Sequence, residues 1–559
     1  MPNTILGINI CKTRAGINLN DGACAMLEDG KFIVAIAEER LSRKKYDGNI
    51  RKSFEYCLKV GKKRLEEIDY FVFSNCCDEP LDKKYLKSIL EENSLNIPDK
   101  KIIINKSHHL SHAYSAFFAS PFDEALILVA DNEGNILDKK SKHYWLNSLE
   151  RTSFYYAKGK KIKLLKRYHD GHGELGLAAN YNYFTQCIGY NSYQEAGKTM
   201  ALSSYGKGKF DNVEIYTKRD KSVLKSRLYL FEQIDSVRDL ILKKCNIDVY
   251  KNKASIRRPS SYQKDLARLI QEKTEYEVIK LITKMLQKTK TRNLCIAGGL
   301  GLNCVANYKI LKETGIKNIF IQPAAGDTGQ CLGNAYYGYF NKFKNSEKSK
   351  EAYNTYLGKR YSKKEIHKCI SKYKDKIKVK EIKNIPAKIA KLLAESKIVS
   401  IFQEGSEFGP RALGNRSILM DPRDMKAKIR LNKVKNREYY RPYAPVVMRK
   451  HVGEYFEYDK DSNFMLLAMP VLKDKRKVIP SVVHKDGTAR VQTITEEQNS
   501  RYYNILREFK EITGVPVVLN TSFNRAGEPL VESPEDAINC FLNSEIDFMA
   551  INNYLLSKK

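Results

Sequence analysis

The chain has 559 residues, of which 42% are hydrophobic, and a formal net charge of +33. This composition excludes a disordered chain, and no apolar run is long enough for a transmembrane helix. The length predicts two or more domains, and the first residues lack the basic and apolar regions of a signal peptide, so we expect a cytoplasmic protein without a membrane partner.

The excess of lysine and arginine would by itself indicate a polyanionic partner such as nucleic acid. The basic residues are nevertheless spread along the whole chain, and no zinc-finger, helix-turn-helix or RNP pattern accompanies them, which disfavours nucleic acid. The 12 cysteines show no CxxC pair and no zinc-ligand spacing. They are therefore predicted to be reduced, mostly buried thiols.

Strands are predicted at 4–10 and 31–37, with a further apolar run at 23–27, so that a hairpin opens the fold. Asn20 and Asp21 stand at the mouth of this hairpin, just before a glycine that lets a ligand come close to the backbone. A candidate catalytic carboxylate is therefore placed at the first turn.

His108 and His112 stand four residues apart in a predicted helix whose apolar residues occupy another face. This spacing lets two imidazoles bind one metal ion, although such a pair can also be purely structural. Further ligands are needed from elsewhere in the chain. Asp131 and Asp327 each follow a predicted strand and are candidates for the same site.

The region of about 235–290 is predicted to be helical, long, basic and peripheral. A strand at 292–297 then runs into Gly298 and Gly299, and a helix starts near Asn303. A strand, a double glycine and a helix start can seat nucleotide phosphates or a ribose, because backbone amides and the helix N-terminus favour negative charge. A plain tight turn is the alternative.

Composition shifts towards Lys, Glu, Ser and Asn between the two halves of the chain, which we interpret as a connector. The predicted domain bounds are 1–345 for the first domain, 346–395 for the connector and 396–559 for the second domain.

The second domain carries a turn rich in glycine with several cations around it, among them Arg411, Arg416, Lys435 and Arg441. Arginine offers a planar fork for two oxygens, and glycine lets backbone amides approach an anion, so the turn predicts phosphate binding. A solvated basic loop is the alternative, but interleaved apolar residues favour burial. Further polar residues near strand ends are Arg490, Asn520 and Ser522.

These blocks, in this order, resemble the O-carbamoyltransferase family that includes the nodulation-factor, cephamycin and tobramycin carbamoyltransferases. The resemblance covers nearly the whole chain. It implies an α/β protein with an N-terminal actin/hsp70-like (ASKHA) ATPase-type domain joined to a C-terminal YrdC-like domain. The motifs that carry it are HisHisLeuSerHisAla, AlaGlyGlyLeuGlyLeuAsnCys, GlnProAlaAlaGlyAsp, PheGlyProArgAlaLeuGlyAsnArgSer, AspGlyThrAlaArgValGln and AsnThrSerPheAsn.

The resemblance implies that the second domain makes carbamoyl adenylate from carbamoyl phosphate and ATP, and that the first domain transfers the carbamoyl group to a hydroxyl of a small molecule or sugar. It implies a divalent metal, Fe2+ in the likeness of the family with Mg2+ or Mn2+ as alternatives, on His108, His112 and Asp327 with Asp131 close by. The implied nucleotide ligands are Gly298, Gly299 and Asn303, and the implied carbamoyl phosphate and ATP ligands are Arg411, Arg416, Lys435, Arg441 and Ser522, with Arg490 and Asn520 as supporting donors.

The chain departs from the family where His-Asp is usual, because it has Asn20-Asp21. An amide cannot accept a proton at neutral pH. Asp21 or His109 then supplies the base, or the acceptor is a better nucleophile such as an amine, or transfer is weakened. We favour the first of these explanations.

Two other functions stay open at this point: carbamoyl-type modification of a nucleotide or nucleic acid, and a transfer-deficient nucleotide-binding scaffold. The sequence names neither the acceptor nor the oligomeric state, and a homodimer is left open.

Overall fold

The computed structural model describes residues 2–11, 21–76, 79–138, 148–170, 176–190, 193–210, 215–217, 225–226, 257–349 and 351–559. The chain divides into two compact units. Unit 1 comprises Met1–Ser42 and Tyr46–Tyr353, and unit 2 comprises Arg43–Lys45 and Asn354–Lys559. Both units combine helices with a β-sheet, which confirms the expected α/β class.

The first sheet of unit 1 contains the predicted opening hairpin. Its strands are β1 Thr4–Ile10, β2 Ala23–Glu28, β3 Lys31–Ala37, β4 Tyr70–Asn75 and β5 Ile102–Ile104. Their order is β3-β2-β1-β4-β5. Strand β2 is antiparallel to both of its neighbours, β1 and β3, whereas β4 and β5 are parallel to β1. The carboxyl ends of β1 and β4 therefore meet at one edge, where Ile10 pairs with Asn75.

The second sheet of unit 1 brings the candidate carboxylates to a common edge. Its strands are β6 Glu124–Ala130, β7 Ile136–Asp138, β8 Ser148–Lys158, β9 Lys161–Asp170, β12 Asn293–Ala297 and β13 Asn318–Ile321, and a separate short pair consists of β10 Tyr216–Thr217 and β11 Lys225–Ser226. The order is β13-β12-β6-β8-β7, with β9 beside β8. Because β6, β12 and β13 are parallel, the segments that follow them emerge on the same side.

The helices of unit 1 are α1 Glu38–Ser42, α2 Arg51–Gly61, α3 Lys83–Glu92, α4 His108–Ala119, α5 Leu177–Cys187, α6 Ala196–Ser203, α7 Ser261–Thr289, α8 Cys304–Glu313 and α9 Gln330–Lys342. Helix α7 corrects the expectation of a peripheral helix. It buries 14 of its 29 residues, because its apolar residues recur at helical spacing and pack against α5, α6 and α8. Of the rest of that prediction, 235–256 lies outside the described residues, and 257–260 precede the helix without being helical.

Unit 2 is built on one mixed sheet of eight strands in the order β14-β23-β22-β15-β16-β21-β17-β20. A separate antiparallel pair is formed by β18 and β19. The bounds are β14 Ile377–Glu381, β15 Val399–Phe402, β16 Arg416–Met420, β17 Ala444–Met448, β18 Ala468–Pro470, β19 Thr488–Arg490, β20 Gln492–Ile494, β21 Val517–Ser522, β22 Phe548–Ile551 and β23 Tyr554–Lys558.

The helices of unit 2 are α10 Lys363–Ser371, α11 Ile385–Ala394, α12 Ala427–Lys435, α13 Val452–Tyr455, α14 Ser500–Thr513 and α15 Pro534–Leu542. Residues 346–395 differ from the connector expected there, because β14 pairs with β23 in the sheet and α11 packs against α14. The polar residues of β14 itself are exposed, as is usual on an edge strand. Among the helices described in both units, none is long and apolar enough to cross a membrane.

Candidate active site

Helix α4 presents two histidines to one point inside unit 1. Ser107 caps the helix by accepting a hydrogen bond from the Leu110 N–H, which fixes where the helix begins. His108 and His112 are both fully buried, and their Nε2 atoms lie 3.2 Å apart. The four-residue spacing has therefore produced the paired imidazoles expected from the sequence.

Two carboxylates complete this group from the ends of strands. Asp131 follows β6, and its Oδ2 lies 3.0 Å from His108 Nε2. Asp327 follows β13, and its Oδ1 lies 3.3 Å from His112 Nε2 and 3.4 Å from His108 Nε2. The four ligand atoms all lie within 4.8 Å of one another. All four predicted metal ligands are thus brought together.

The donor set fits a divalent metal ion. Two imidazole nitrogens and two carboxylate oxygens are ligands that Fe2+, Mn2+ and Zn2+ accept. The other ring nitrogen of His108 lies 3.1 Å from Gln330 Nε2, which holds the ring in place. The Nδ1 of His112 has no hydrogen-bond partner among the described residues.

The electrostatics of the four residues also favour a cation. Burial acts to lower the pKa of His108, but the carboxylates of Asp327 and Asp131 outweigh it and hold that pKa well above its ordinary value. The pKa of His112 is raised by the same carboxylates against the effect of burial. Burial acts to raise the pKa of Asp131, yet hydrogen bonds from both histidines keep it well below its usual range. Positive charge is strongly favoured at this point.

The glycine loop after β12 positions a metal ligand. Gly298 has φ +86°, and a Cβ there would lie 2.4 Å from the Ala130 carbonyl oxygen, so only glycine fits against β6. The Gly299 N–H donates to Asp131 Oδ1 at 2.8 Å. The loop that was predicted to bind a nucleotide therefore holds Asp131 through its Oδ1, while the Oδ2 of the same carboxylate lies beside His108.

Asn303 acts as the N-cap of α8. Its Oδ1 accepts from the Ala306 N–H at 3.1 Å, and its amide exchanges two hydrogen bonds with Gln271 of α7. In this arrangement its side chain is engaged within the protein rather than presented to a ligand.

Asp21 lies near the two carboxylates of the metal group. Burial raises the pKa of Asp21 well above its ordinary value, and the negative charges of Asp327, Glu39 and Asp131 raise it further. The carboxylate of Asp21 therefore binds a proton more readily than an ordinary carboxylate does. Asn20 lies outside the described residues.

His109, the other candidate base, is not one of the four residues of the metal group. Its Nδ1 lies 2.7 Å from Ser153 Oγ. Burial lowers its pKa to about 3, although Glu150 opposes the effect. An imidazole with so low a pKa is a weak base at neutral pH, which leaves Asp21 as the better candidate.

A buried lysine forms the centre of the candidate anion site in unit 2. Lys435 ends α12, and its Nζ donates to the Ser522 carbonyl at 2.7 Å, to Ser522 Oγ at 3.2 Å and to the Asn524 carbonyl at 2.6 Å. Burial lowers its pKa well below the ordinary value, and the charges of Arg437 and Arg441 lower it further. Lys435 and Ser522 are thus brought together as predicted.

Arg437 is a member of this cluster that was not chosen as a site residue from the sequence. Burial lowers its pKa to about 9, and the charges of Arg441 and Arg490 contribute. Its guanidinium lies 5.5 Å from the centre of the Tyr443 ring. The signal in the sequence was its position two residues after Lys435 and four before Arg441. Lys435, Arg437, Arg441 and Arg490 therefore form one cationic cluster.

Arg416 is placed differently from the phosphate ligand expected. It is fully buried, and its guanidinium donates to the carbonyls of Gln403 at 2.6 Å and Glu404 at 3.2 Å while it stacks 3.7 Å from the Phe402 ring centre. Its donors thus hold the turn together. The carboxylate of Glu407 also holds this turn together, because its Oε1 accepts hydrogen bonds from the N–H groups of Leu413 and Asn415.

Asn520 links the turn to β21. Its Nδ2 donates to the Ala412 carbonyl at 3.1 Å and to Gln492 Oε1 at 3.3 Å. Ala412 follows the half-buried Arg411 directly. The Oδ1 of Asn520 is buried and has no partner among the described residues, so this side chain offers an acceptor where a donor was expected.

Most of the chain matches two family models. Residues 390–558 match the model described as "Carbamoyltransferase C-terminus", and residues 13–97 and 79–336 match "Carbamoyltransferase N-terminus". The chain belongs to the carbamoyltransferase family and is a transferase, which confirms the resemblance seen in its motifs.

Individual relatives are similar over nearly the whole chain. Nodulation protein NolNO of Sinorhizobium fredii is 32% identical over 570 residues, which cover 97% of this chain and 79% of that protein. The 3'-hydroxymethylcephem-O-carbamoyltransferase of Amycolatopsis lactamdurans is 25% identical over 546 residues, which cover 93% and 94%. A solved structure of full-length HypF in the phosphate- and nucleotide-bound form aligns at a TM-score of 0.36 and 12% identity, over 62% of this chain and 56% of that one.

Proposed function

We propose that this carbamoyltransferase uses ATP and carbamoyl phosphate to make carbamoyl adenylate in unit 2. Unit 1 then transfers the carbamoyl group to a hydroxyl of a small molecule or sugar. The family membership supports carbamoyl transfer, and the named cephem relative acts as an O-carbamoyltransferase. An actin/hsp70-like first domain and a YrdC-like second domain, as the motifs imply, agree with this division of labour.

The observation that carries the proposal is the cationic cluster of unit 2. Lys435 is buried and donates to Ser522 Oγ at 3.2 Å, and Arg437 lies over the Tyr443 ring. Burial and the neighbouring positive charges lower the pKa values of both groups. Buried like charges are costly unless an anion compensates them. The phosphates of ATP and of carbamoyl phosphate are anions of the right kind, because arginine binds phosphate oxygens through a planar fork.

The chemistry in unit 2 begins when water releases phosphate from carbamoyl phosphate and leaves carbamate. A carbamate oxygen then attacks the α-phosphorus of ATP, and pyrophosphate departs. The cluster would stabilise the negative charge that builds on the phosphoryl oxygens. The unpartnered Oδ1 of Asn520 can accept a hydrogen bond from the carbamoyl NH2 group, which would select carbamate over an acetate-like acid.

The chemistry in unit 1 is attack of the acceptor hydroxyl on the carbamoyl carbon, with AMP as leaving group. Asp21 would take the hydroxyl proton, since it lies near Asp131 and Asp327 and its raised pKa makes it bind a proton more readily than an ordinary carboxylate does. His108, His112, Asp131 and Asp327 would hold a divalent cation, with Fe2+ expected from the family. Such an ion would act as a Lewis acid that polarises the carbonyl of the carbamoyl group.

The proposal is tested by incubation of the purified chain with carbamoyl phosphate, ATP and Fe2+, Mn2+ or Mg2+ in parallel. We expect pyrophosphate release that depends on both substrates, and carbamoyl adenylate detected by mass spectrometry. If no pyrophosphate forms with any metal, the chain is a scaffold that does not activate carbamate.

The acceptor class is tested in the same reaction. Hydroxylated small molecules and sugars are expected to consume the adenylate and release AMP. Single-stranded and transfer RNA are offered beside them at two salt concentrations, because phosphate contacts give a steep salt dependence. If RNA became carbamoylated and no small molecule did, the acceptor would be a nucleic acid and not the proposed small molecule or sugar.

A further inference from the structure

Two cysteines lie beside the histidine and aspartate group of unit 1. Cys11 directly follows β1 and Cys76 directly follows β4, and these strands are parallel neighbours with Ile10 paired to Asn75. The two residues thus leave the sheet side by side although 65 positions separate them. They are 1% and 0% exposed. Their sulfur atoms and one carboxylate oxygen of Asp327 all lie within 4.8 Å of one another.

This is the ligand set of a thiophilic metal ion. Thiolate sulfur and carboxylate oxygen both bind Zn2+, whereas Mg2+ and Ca2+ take oxygen ligands. Three protein ligands leave the fourth position of a tetrahedral site open, as in catalytic zinc sites. We propose that Cys11, Cys76 and Asp327 bind a second divalent cation of the Zn2+ type next to the His108–His112 centre.

Asp327 is the residue that joins the two groups. Its Oδ1 lies 3.3 Å from His112 Nε2, and the same residue is within reach of both thiols. A carboxylate has two oxygens and can bridge two metal ions. Its main chain is fixed as well, because Asn9 Nδ2 donates to the Asp327 carbonyl at 2.9 Å. The bridge would therefore be held rigidly.

A second cation would also affect the carbamoyl transfer reaction. This effect, unlike the metal site itself, rests on the proposed function. The amide of Asn20, the residue before Asp21, cannot accept a proton at neutral pH. An acceptor hydroxyl bound at the open position would lose its proton more readily, because a bound metal lowers the pKa of a coordinated oxygen.

The test uses the unmodified full chain, purified under reductant, stripped with a chelator and titrated with Co2+ as a spectroscopic probe for Zn2+. We expect two equivalents of Co2+ per chain by elemental analysis, with sulfur-to-cobalt charge-transfer absorption. Cys11→Ala with Cys76→Ala should lose that absorption and keep one equivalent. His108→Ala with His112→Ala should keep the absorption and lose the other equivalent.

Cys24→Ala with Cys57→Ala is the matched control. These two cysteines are also buried and adjacent in unit 1, since Cys57 Sγ lies 3.5 Å from the Cys24 carbonyl oxygen. Both Co2+ equivalents and the full absorption should remain in this variant.

A measurement on the unmodified chain guards against variants that fail to fold. Zn2+ added to the cobalt-loaded, unmodified chain should remove the sulfur-to-cobalt absorption, because it competes with Co2+ for the same thiolates. One equivalent of Co2+ without charge-transfer absorption would overturn the proposal. So would a Cys11–Cys76 disulfide that persists under reductant, because the pair would then be a covalent cross-link.

Discussion

The Nδ2 atom of Asn9 lies 2.9 Å from the main-chain oxygen of Asp327, 318 residues further along the chain. The same amide lies 3.1 Å from the main-chain oxygen of Asp21. One buried side chain on β1 therefore fixes the backbone of a metal ligand and of the candidate base. Nothing in the motif around Asn9 had marked it as a site residue.

Replacement of this amide should loosen the metal group without removing a ligand. Asn9→Leu is expected to weaken binding of Fe2+ or Mn2+ by about 10- to 100-fold, the usual effect of losing a residue that orients a ligand. Isothermal titration with the metal measures the change. Asn93→Leu is the control, because its amide donates to the Ile89 carbonyl at the end of α3. Equal affinities in the Asn9 variant and the parent would contradict a positioning role for Asn9.

Lys435 is expected to be essential for adenylate formation. Lys435→Met removes a buried charge aimed at Ser522 and Asn524, and pyrophosphate release should fall by about 100-fold or more, as for loss of one charge-stabilising donor. Lys433→Met is the matched control on the same helix, since Lys433 is 72% exposed and pairs with Glu545. Its rate should stay within about twofold of the parent. Comparable losses in both variants would point to general damage to α12.

Substitution of Asp21 should impair carbamoyl transfer without affecting adenylate formation. Asp21→Asn leaves a side chain that cannot accept a proton, so carbamoyl transfer to a hydroxyl should fall by about 10²- to 10⁴-fold while adenylate formation is unchanged. Adenylate and AMP are measured in the same reaction. Asp29→Asn is the control, because Asp29 also has a positive φ, 45° against 72° for Asp21, but lies in an exposed turn. Undiminished transfer by Asp21→Asn would assign the base to another group.

Two glycines of unit 2 with positive φ should differ in their tolerance of alanine. Gly414 has φ +117°, and a Cβ there would lie 2.2 Å from the Tyr502 ring, whereas Gly514 has φ +74° and open space around it. Gly514→Ala should cost about 1 kcal/mol from backbone strain alone. Gly414→Ala should cost about 3 kcal/mol or more, because the clash adds to the strain. Thermal unfolding of the two variants compares them, and similar shifts in Tm would argue against the close packing of Gly414.

His484 should stay neutral in the folded protein well below neutral pH. Burial lowers its pKa to about 4, and the charges of Arg490 and Lys428 act in the same direction. The unfolded chain binds this proton at pH about 6.5, so the contribution of His484 to stability is lost as the pH falls from about 6.5 towards 4. Selective 13C labelling of the nine histidines, with His484→Gln for assignment, follows the titration by NMR. A midpoint near 6.5 would contradict the buried environment.

Much of the candidate site could be predicted from local patterns. The four-residue spacing of His108 and His112 requires only a helix to bring the rings together, and Asp131 and Asp327 stand at the ends of short apolar runs. Carboxyl ends of parallel strands meet at one edge of a sheet, so their convergence followed from the fold class. The glycine and arginine content of 408–417 likewise indicated a tight turn, because these residue types have narrow conformational and chemical uses.

The tertiary structure alone decided which of these polar groups remain available. Arg416 and Asn303 have the residue types of ligands, but neighbouring carbonyls and Gln271 engage them, and hydrogen-bond partners distant in sequence have no local signature. Strand pairing likewise places Cys11 beside Cys76, since register is set by packing of whole sheets. The sequence by itself determined the family, the chemistry of the motifs and most strands. The structure determined which side chains face one another, because contact depends on packing between distant segments.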